Sequence, residues 1–191
     1  MLVAIRSVDG ERVPKMMKWG LLPHWAKDDK LAYSTFNACS EEFNKKPAYR
    51  DAWKRGQRCL VVTDGFYEWK KLDPKGKQKQ PYAITMADSG EMVMAGLWST
   101  WRSAASGEEA PSCTILTCGP NAVMGELHDR MPVILDEADW PKWLGEAPAT
   151  KEELLTLLKP CPDAVLKIWP VDRAVGNVRN KGPELIAPMS A

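Results

Sequence analysis

The feature that most constrains this chain is punctuation: short apolar, β-branched segments recur along it, broken by Asp-Gly and related turn residues. Val3 to Val8 and Val13 to Trp19 flank Asp9-Gly10. Asp-Gly supplies the positive φ angles that a tight hairpin turn needs, so these segments predict a β-hairpin. Cys59 to Thr63 and Phe66 to Lys70 flank Asp64-Gly65, and Tyr82 to Met86 and Met92 to Trp98 flank Asp88-Ser89-Gly90, which predicts another hairpin. Further strands are expected at Cys113 to Thr117, Met131 to Leu135 and Ala164 to Trp169. Strands outnumber helices and turn residues link most neighbours. The expected class is α+β, with a mainly antiparallel, barrel-like β-sheet core decorated by short helices.

The helices announce themselves by their ends. After the Pro- and Trp-bearing loop Gly20 to Lys30, the stretch Asn37 to Asn44 leads to a helix that Pro47 opens and Gly56 closes. Tyr49, Ala52 and Trp53 form its apolar stripe, while Lys46, Arg50, Lys54 and Arg58 recur every four residues as a basic face, Arg58 falling past the closing glycine. Taken alone, such a face reads first as simple solvation. A short helix is expected near Asn121 to Leu127, and two acidic ones at Glu137 to Leu144 and Lys151 to Leu158, the second capped by Thr150.

A length of 191 residues fits one domain, 1–191, and 45% apolar residues with nine Trp suffice for a core. The formal charge of +1 conceals a split: residues 1–82 carry 17 Lys and Arg against 10 Asp and Glu, a net +7, and residues 83–191 carry −6. A basic first half hints at an anionic partner. No apolar run approaches a membrane span and the first residues lack a secretory pattern, so a cytoplasmic monomer with no membrane association is expected. Cys39, Cys59, Cys113, Cys118 and Cys161 are odd in number and irregularly spaced, which suits a reducing compartment.

Glu68 is the most telling residue for chemistry. Within Phe66-Tyr67-Glu68-Trp69 it shares a strand face with Phe66, and a carboxylate among aromatics is partly desolvated, which suits proton shuttling near neutrality. An edge-strand glutamate in water remains the alternative. His128, in Leu127-His128-Asp129-Arg130-Met131-Pro132, joins a helix to a strand in a loop from which side chains commonly reach a site, against the alternative of a structural histidine. His24 has less to recommend it. Cys113 and Cys118 lack a partner pair for a metal, so no metal or cofactor is expected. A Cys–His hydrolase through Cys39 or Cys59 is chemically conceivable but unsupported by spacing. No phosphate-cradling Gly-rich loop is present.

Trp19-Gly20-Leu21-Leu22-Pro23-His24-Trp25, Asn37-Ala38-Cys39-Ser40-Glu41, Asp64-Gly65-Phe66-Tyr67-Glu68-Trp69, His128-Asp129-Arg130-Met131-Pro132 and Asn177-Val178-Arg179-Asn180-Lys181-Gly182-Pro183 together resemble the SRAP family, the SOS response-associated peptidases. The blocks occur in family order over nearly the whole chain. The resemblance implies binding to single-stranded DNA with abasic sites. It also implies a covalent crosslink in which the amine and thiol of an N-terminal cysteine close a thiazolidine ring on the sugar aldehyde, with associated autopeptidase and lyase chemistry. By the same resemblance Asn37 positions the cysteine end and the sugar, Glu68 moves the proton for ring opening, and His128 assists at the sugar oxygen and in β-elimination. Trp25 and Trp69 offer stacking faces to bases and Arg130 holds a phosphate.

Two departures stand out. The family opens Met-Cys-Gly-Arg, whereas this chain opens Met1-Leu2-Val3, already inside the first strand, so a missing opening segment with the nucleophile is expected. None of the five cysteines can substitute, because ring closure needs the α-amine and thiol of one residue. The second departure is Cys39, where the family usually carries a phosphate-binding arginine, which implies weaker, less salt-dependent DNA binding. Two other classes stand beside this one: a non-catalytic single-stranded DNA-binding module, and a thiol peptidase acting in trans.

Overall fold

A computed structural model describes residues 1–103 and 106–189. In chain order the strands are β1 (Leu2–Val8), β2 (Glu11–Trp19), β3 (Asn37–Cys39), β4 (Arg58–Thr63), β5 (Gly65–Lys71), β6 (Lys79–Met86), β7 (Met92–Arg102), β8 (Glu109–Cys118), β9 (Met131–Pro132) and β10 (Leu166–Pro170). The α-helices are α1 (Pro47–Lys54), α2 (Ala122–Gly125), α3 (Trp140–Leu144) and α4 (Lys151–Thr156). They divide between two compact units. One comprises Met1–Thr63, Val93–Gly119 and Pro132–Pro160, the other Asp64–Met92, Pro120–Met131 and Cys161–Ala191.

The first unit is a mixed barrel. Its strands run in the order β2-β1-β4-β7-β8, and a parallel pairing of Lys18 and Trp19 with Ser112 and Cys113 joins β2 to β8 and closes the ring. Asp9 (φ 52°) and Gly10 (φ 84°) form the two-residue turn between β1 and β2, with Val8 opposite Glu11, as the Asp-Gly dipeptide predicts. The strands pack closely at Gly96. A Cβ there would stand 2.9 Å from both Cys59 Sγ and the Thr114 carbonyl oxygen and 3.0 Å from Val61 Cγ2. Arg6 stacks its guanidinium 4.5 Å from the centre of the Trp98 ring. Around the strands, α1 buries the expected stripe of Tyr49, Ala52 and Trp53. Trp53 meets Phe43 edge-on at 5.2 Å and tilts against Trp143 at 6.2 Å. Trp143 is fully buried and donates its indole N–H to the Cys59 carbonyl at 3.0 Å, fixing α3 to β4. Thr150 and Glu153 form a reciprocal capping box that starts α4.

The second unit is a three-stranded antiparallel sheet ordered β10-β6-β5. Pro81 sits inside β6, where its missing N–H would leave β10 a donor short. Gln80 repairs this: Val171 N–H donates to the Pro81 carbonyl at 3.1 Å, and Gln80 Nε2 reaches the Val171 carbonyl at 2.8 Å in place of the absent donor. The tail returns to the same sheet, with Trp169 Nε1 donating to the Ile186 carbonyl at 2.8 Å and Met189 N–H to that of Pro170 at 3.1 Å.

Two expectations about pairing are corrected. Tyr82–Met86 and Met92–Trp98 are not a hairpin, because β6 pairs with β5 and β10 while β7 lies in the barrel sheet. Asp64-Gly65 likewise passes the chain from the barrel to the three-stranded sheet instead of folding β4 back on β5. The sheets are mainly antiparallel, as expected, but β8 takes parallel partners in both β2 and β3.

Candidate functional site

In the first unit Asn37 stands at the start of β3, a three-residue strand parallel to β8 with Asn37 opposite Ile115 and Cys39 opposite Thr117. Strand alternation sinks Ala38 into the core at 1% exposure and turns Asn37 outward, with Cys39 half-buried on the same side. The Tyr49 hydroxyl donates to the Asn37 carbonyl at 3.2 Å, so α1 clamps the short strand from behind. Trp25 is 47% exposed on the loop after β2, whose backbone is pinned where Trp101 Nε1 donates to the Ala26 carbonyl at 2.6 Å.

The basic face of α1 is shorter than its spacing suggests. Lys46 pairs with Glu42 at 2.6 Å and Arg50 contacts Asp51 at 3.7 Å, both at half-exposed side chains. Arg58 is not part of that face, since Gly56 (φ 67°) ends the helix and Arg58 begins β4. Its Nε donates to the Trp143 carbonyl and its guanidinium lies 5.9 Å from the ring centres of both Trp53 and Trp143. Burial lowers its pKa, and its place is structural.

The second unit holds Glu68, Trp69, His128 and Arg130. Glu68 lies on β5, an edge strand, opposite Tyr82. Trp69 is opposite Pro81, whose carbonyl faces β10, so the Trp69 N–H points to the open edge of β5. The Glu68 carboxylate folds over that edge and accepts the Trp69 N–H on Oε1 at 2.9 Å. The carboxylate is thus half-buried and held in one orientation, with its second oxygen outside this bond.

His128 follows α2, which starts where Asn121 Oδ1 accepts the Met124 N–H at 3.0 Å. The histidine N–H donates to the Met124 carbonyl at 2.9 Å, and its side chain remains 43% exposed. Nδ1 accepts the Arg130 N–H at 3.0 Å and lies 3.2 Å from Asp129 Oδ1. The Arg130 carbonyl lies 3.2 Å from the same nitrogen, so the backbone and side chains of 128–130 gather around Nδ1. Lys70, on the same face of β5 as Glu68, reaches Glu126 at 3.6 Å and so links β5 to the segment that leads into His128. Neither Lys70 nor Gln80 was signalled by the sequence, since each acts through a neighbour that only the register reveals.

The thiols are poorly placed for nucleophilic work. Cys59 is fully buried and desolvation pushes its pKa well above the ordinary thiol value, while Cys113 is pushed up to about 11 by the same cause. Cys118 and Cys161 are also buried, leaving Cys39 as the partly exposed thiol. Among the described residues no three His, Cys, Asp or Glu side chains come together to hold a metal ion, and no helix is long and apolar enough to cross a membrane.

Comparison with known proteins gives the family. The chain is 37% identical over 185 residues to the abasic site processing protein YoqW of Bacillus subtilis, covering 97% of this chain and 80% of that protein. It is 34% identical over 201 residues to the abasic site processing protein HMCES of Gallus gallus, covering 94% of this chain and 58% of that longer relative. A crystal structure of a protein from Bacteroides thetaiotaomicron superposes with a TM-score of 0.86 at 27% identity, covering 98% of this chain and 81% of that one. One from Bordetella bronchiseptica gives 0.77 at 30%, covering 90% and 84%. The model of the family described as SOS response associated peptidase (SRAP) matches residues 1–178, and the chain belongs to that family.

Proposed function

We propose that this protein recognises abasic sites in single-stranded DNA and takes part in their processing, as a cytoplasmic monomer of the DNA damage response. The observation that carries the proposal is family membership over residues 1–178 together with relatives named abasic site processing proteins. The side chains support it. Glu68, tied by one oxygen to the Trp69 N–H, would use the other to move the proton that opens the deoxyribose ring. His128, with Nδ1 engaged by the Arg130 backbone, would direct Nε2 at the sugar oxygen and assist β-elimination at the 3′ phosphate. Asn37 would position the sugar, Trp25 and Trp69 would stack on flanking bases, and Arg130 would hold a phosphate.

The covalent, peptidase and lyase chemistry of the proposal requires a cysteine whose own α-amine is free, which neither the part-exposed Cys39 nor the four buried thiols can supply from within the chain. Its test is therefore kinetic and uses a chain extended by a Met-Cys-Gly-Arg opening. Glu68→Gln should slow adduct formation with an abasic oligonucleotide far more than it weakens binding. Equal losses in rate and affinity would show that the residue only supports the fold.

A further inference from the structure

The three-stranded sheet is electrically polarised along its strands. At one end β5 finishes, β6 begins and β10 finishes, because β6 is antiparallel to both neighbours. That end releases the hairpin 72–78 and the loop 171–182. The hairpin and its flanks carry Lys71, Lys75, Lys77 and Lys79, and the loop carries Arg173, Arg179 and Lys181, all exposed. None of these cations takes part in an ion pair among the described residues. The only acids within these two segments are Asp73 and Asp172, and both are turned onto backbone: Asp73 accepts the Lys75 N–H at 2.8 Å and Asp172 the Ala174 N–H at 2.7 Å. The opposite end of the sheet carries Asp64, Asp88, Glu91 and Asp163.

The basic loop is also pre-shaped. Asn177 Oδ1 accepts the Arg179 N–H at 3.1 Å, and Asn180 Nδ2 donates to the Ala174 carbonyl at 2.9 Å, so the backbone of the loop is set before any partner arrives. Val178 projects from it at 90% exposure between these anchors. The loop leaves the sheet beside the candidate chemistry, since Pro170, Tyr82 and Glu68 form one row across the three strands. At the spacing of adjacent strands, Pro170 and Glu68 are separated by about 10 Å.

We infer that this basic end is a phosphate track for the DNA strand flanking the lesion, with the hairpin lysines and the Arg179 and Lys181 pair each gripping backbone phosphates. The inference rests on the proposed function for the identity of the strand, and it predicts a contribution that depends on strand length. Lys75→Ala with Lys77→Ala, and Arg179→Ala with Lys181→Ala, should each lower the salt slope of binding by about 1.4 for an abasic strand of about 15 nucleotides, at about 0.7 per single-strand phosphate. That corresponds to about tenfold weaker binding at 0.15 M salt. On an abasic trinucleotide, too short to reach the track, the variants should bind as the parent does.

Unchanged slopes on the long strand, or equal losses on both lengths, would overturn the track. Loss of poly-glutamate binding with DNA affinity intact would overturn it in favour of an acidic protein partner. If the parent chain itself ignores abasic strands of either length, the proposed function has failed instead, and the two failures are distinguishable.

Discussion

Arg58→Ala is a sharp test of how the basic first half is used. Counted by spacing, Arg58 extends the α1 cation row; in the fold it bridges β4 to the last turn of α3 through the Trp143 carbonyl, between two indole rings. A hydrogen bond from a charged donor contributes about 1.5–3 kcal/mol. Each of the two cation–π contacts adds about 0.5–1 kcal/mol at a part-exposed site. Against this stands the desolvation relieved when a half-buried guanidinium is removed, so the net expected loss is about 2 kcal/mol. Arg50→Ala removes the same charge from a side chain that is 48% exposed, and its expected cost is under about 0.5 kcal/mol. Urea unfolding followed by tryptophan fluorescence compares the two directly. The DNA readout should show Arg58→Ala leaving the salt slope unchanged, because its guanidinium is held within the fold. An Arg58→Ala chain of parental stability, or one whose salt slope falls by about 0.7, would refute the structural assignment.

Other perturbations follow from single contacts. Gly96→Ala places a methyl against the Cys59 sulfur and the Thr114 backbone, neither free to retreat, and should cost about 1–3 kcal/mol as a lowered urea midpoint with unchanged slope. A thiol reagent applied to the native protein should label Cys39 and spare Cys59 and Cys113, whose desolvated thiols react only on unfolding. Thr150→Ala should remove about 1 kcal/mol by uncapping α4. Because the Thr150 backbone N–H, and after it the Thr150 hydroxyl, hold the Glu153 carboxyl below its ordinary value, the stabilising contribution of that carboxylate is present above the unfolded pKa of about 4.3 and fades as pH falls through the lower folded value. The stability deficit of Glu153→Gln should therefore shrink in acid, as read by urea titration at pH 7 and pH 3. Cys39→Arg, on the outward side of β3 beside Asn37, should tighten single-stranded DNA binding and raise its salt slope by about 0.7, measured by fluorescence anisotropy.

Local chemistry was legible wherever a residue dictates its own backbone. Asp9-Gly10 made the first hairpin, Pro47 and Gly56 bounded α1, and Thr150 capped α4, each from turn or cap geometry alone. Partner choice was not legible. Asp64-Gly65 and Asp88-Ser89-Gly90 carry the same turn signals, yet the strands on either side enter different sheets, because register depends on long-range packing that a dipeptide does not encode. The same limit hid β3, too short for alternation to show, and misplaced Arg58, whose spacing matched a helix already ended by Gly56. At the candidate site the sequence named Glu68 and His128. The bonds that orient them, from Trp69 and Arg130 N–H groups, came only with the fold.

The most direct measurement is equilibrium binding of this chain to one single-stranded oligonucleotide made in two forms, intact and with a single stable abasic site, under the same salt. Recognition of the lesion predicts tighter binding to the abasic strand, with the preference reduced by Asn37→Ala. Equal affinity for the two strands, or no binding to either, would contradict the claim that this member of the family reads abasic DNA.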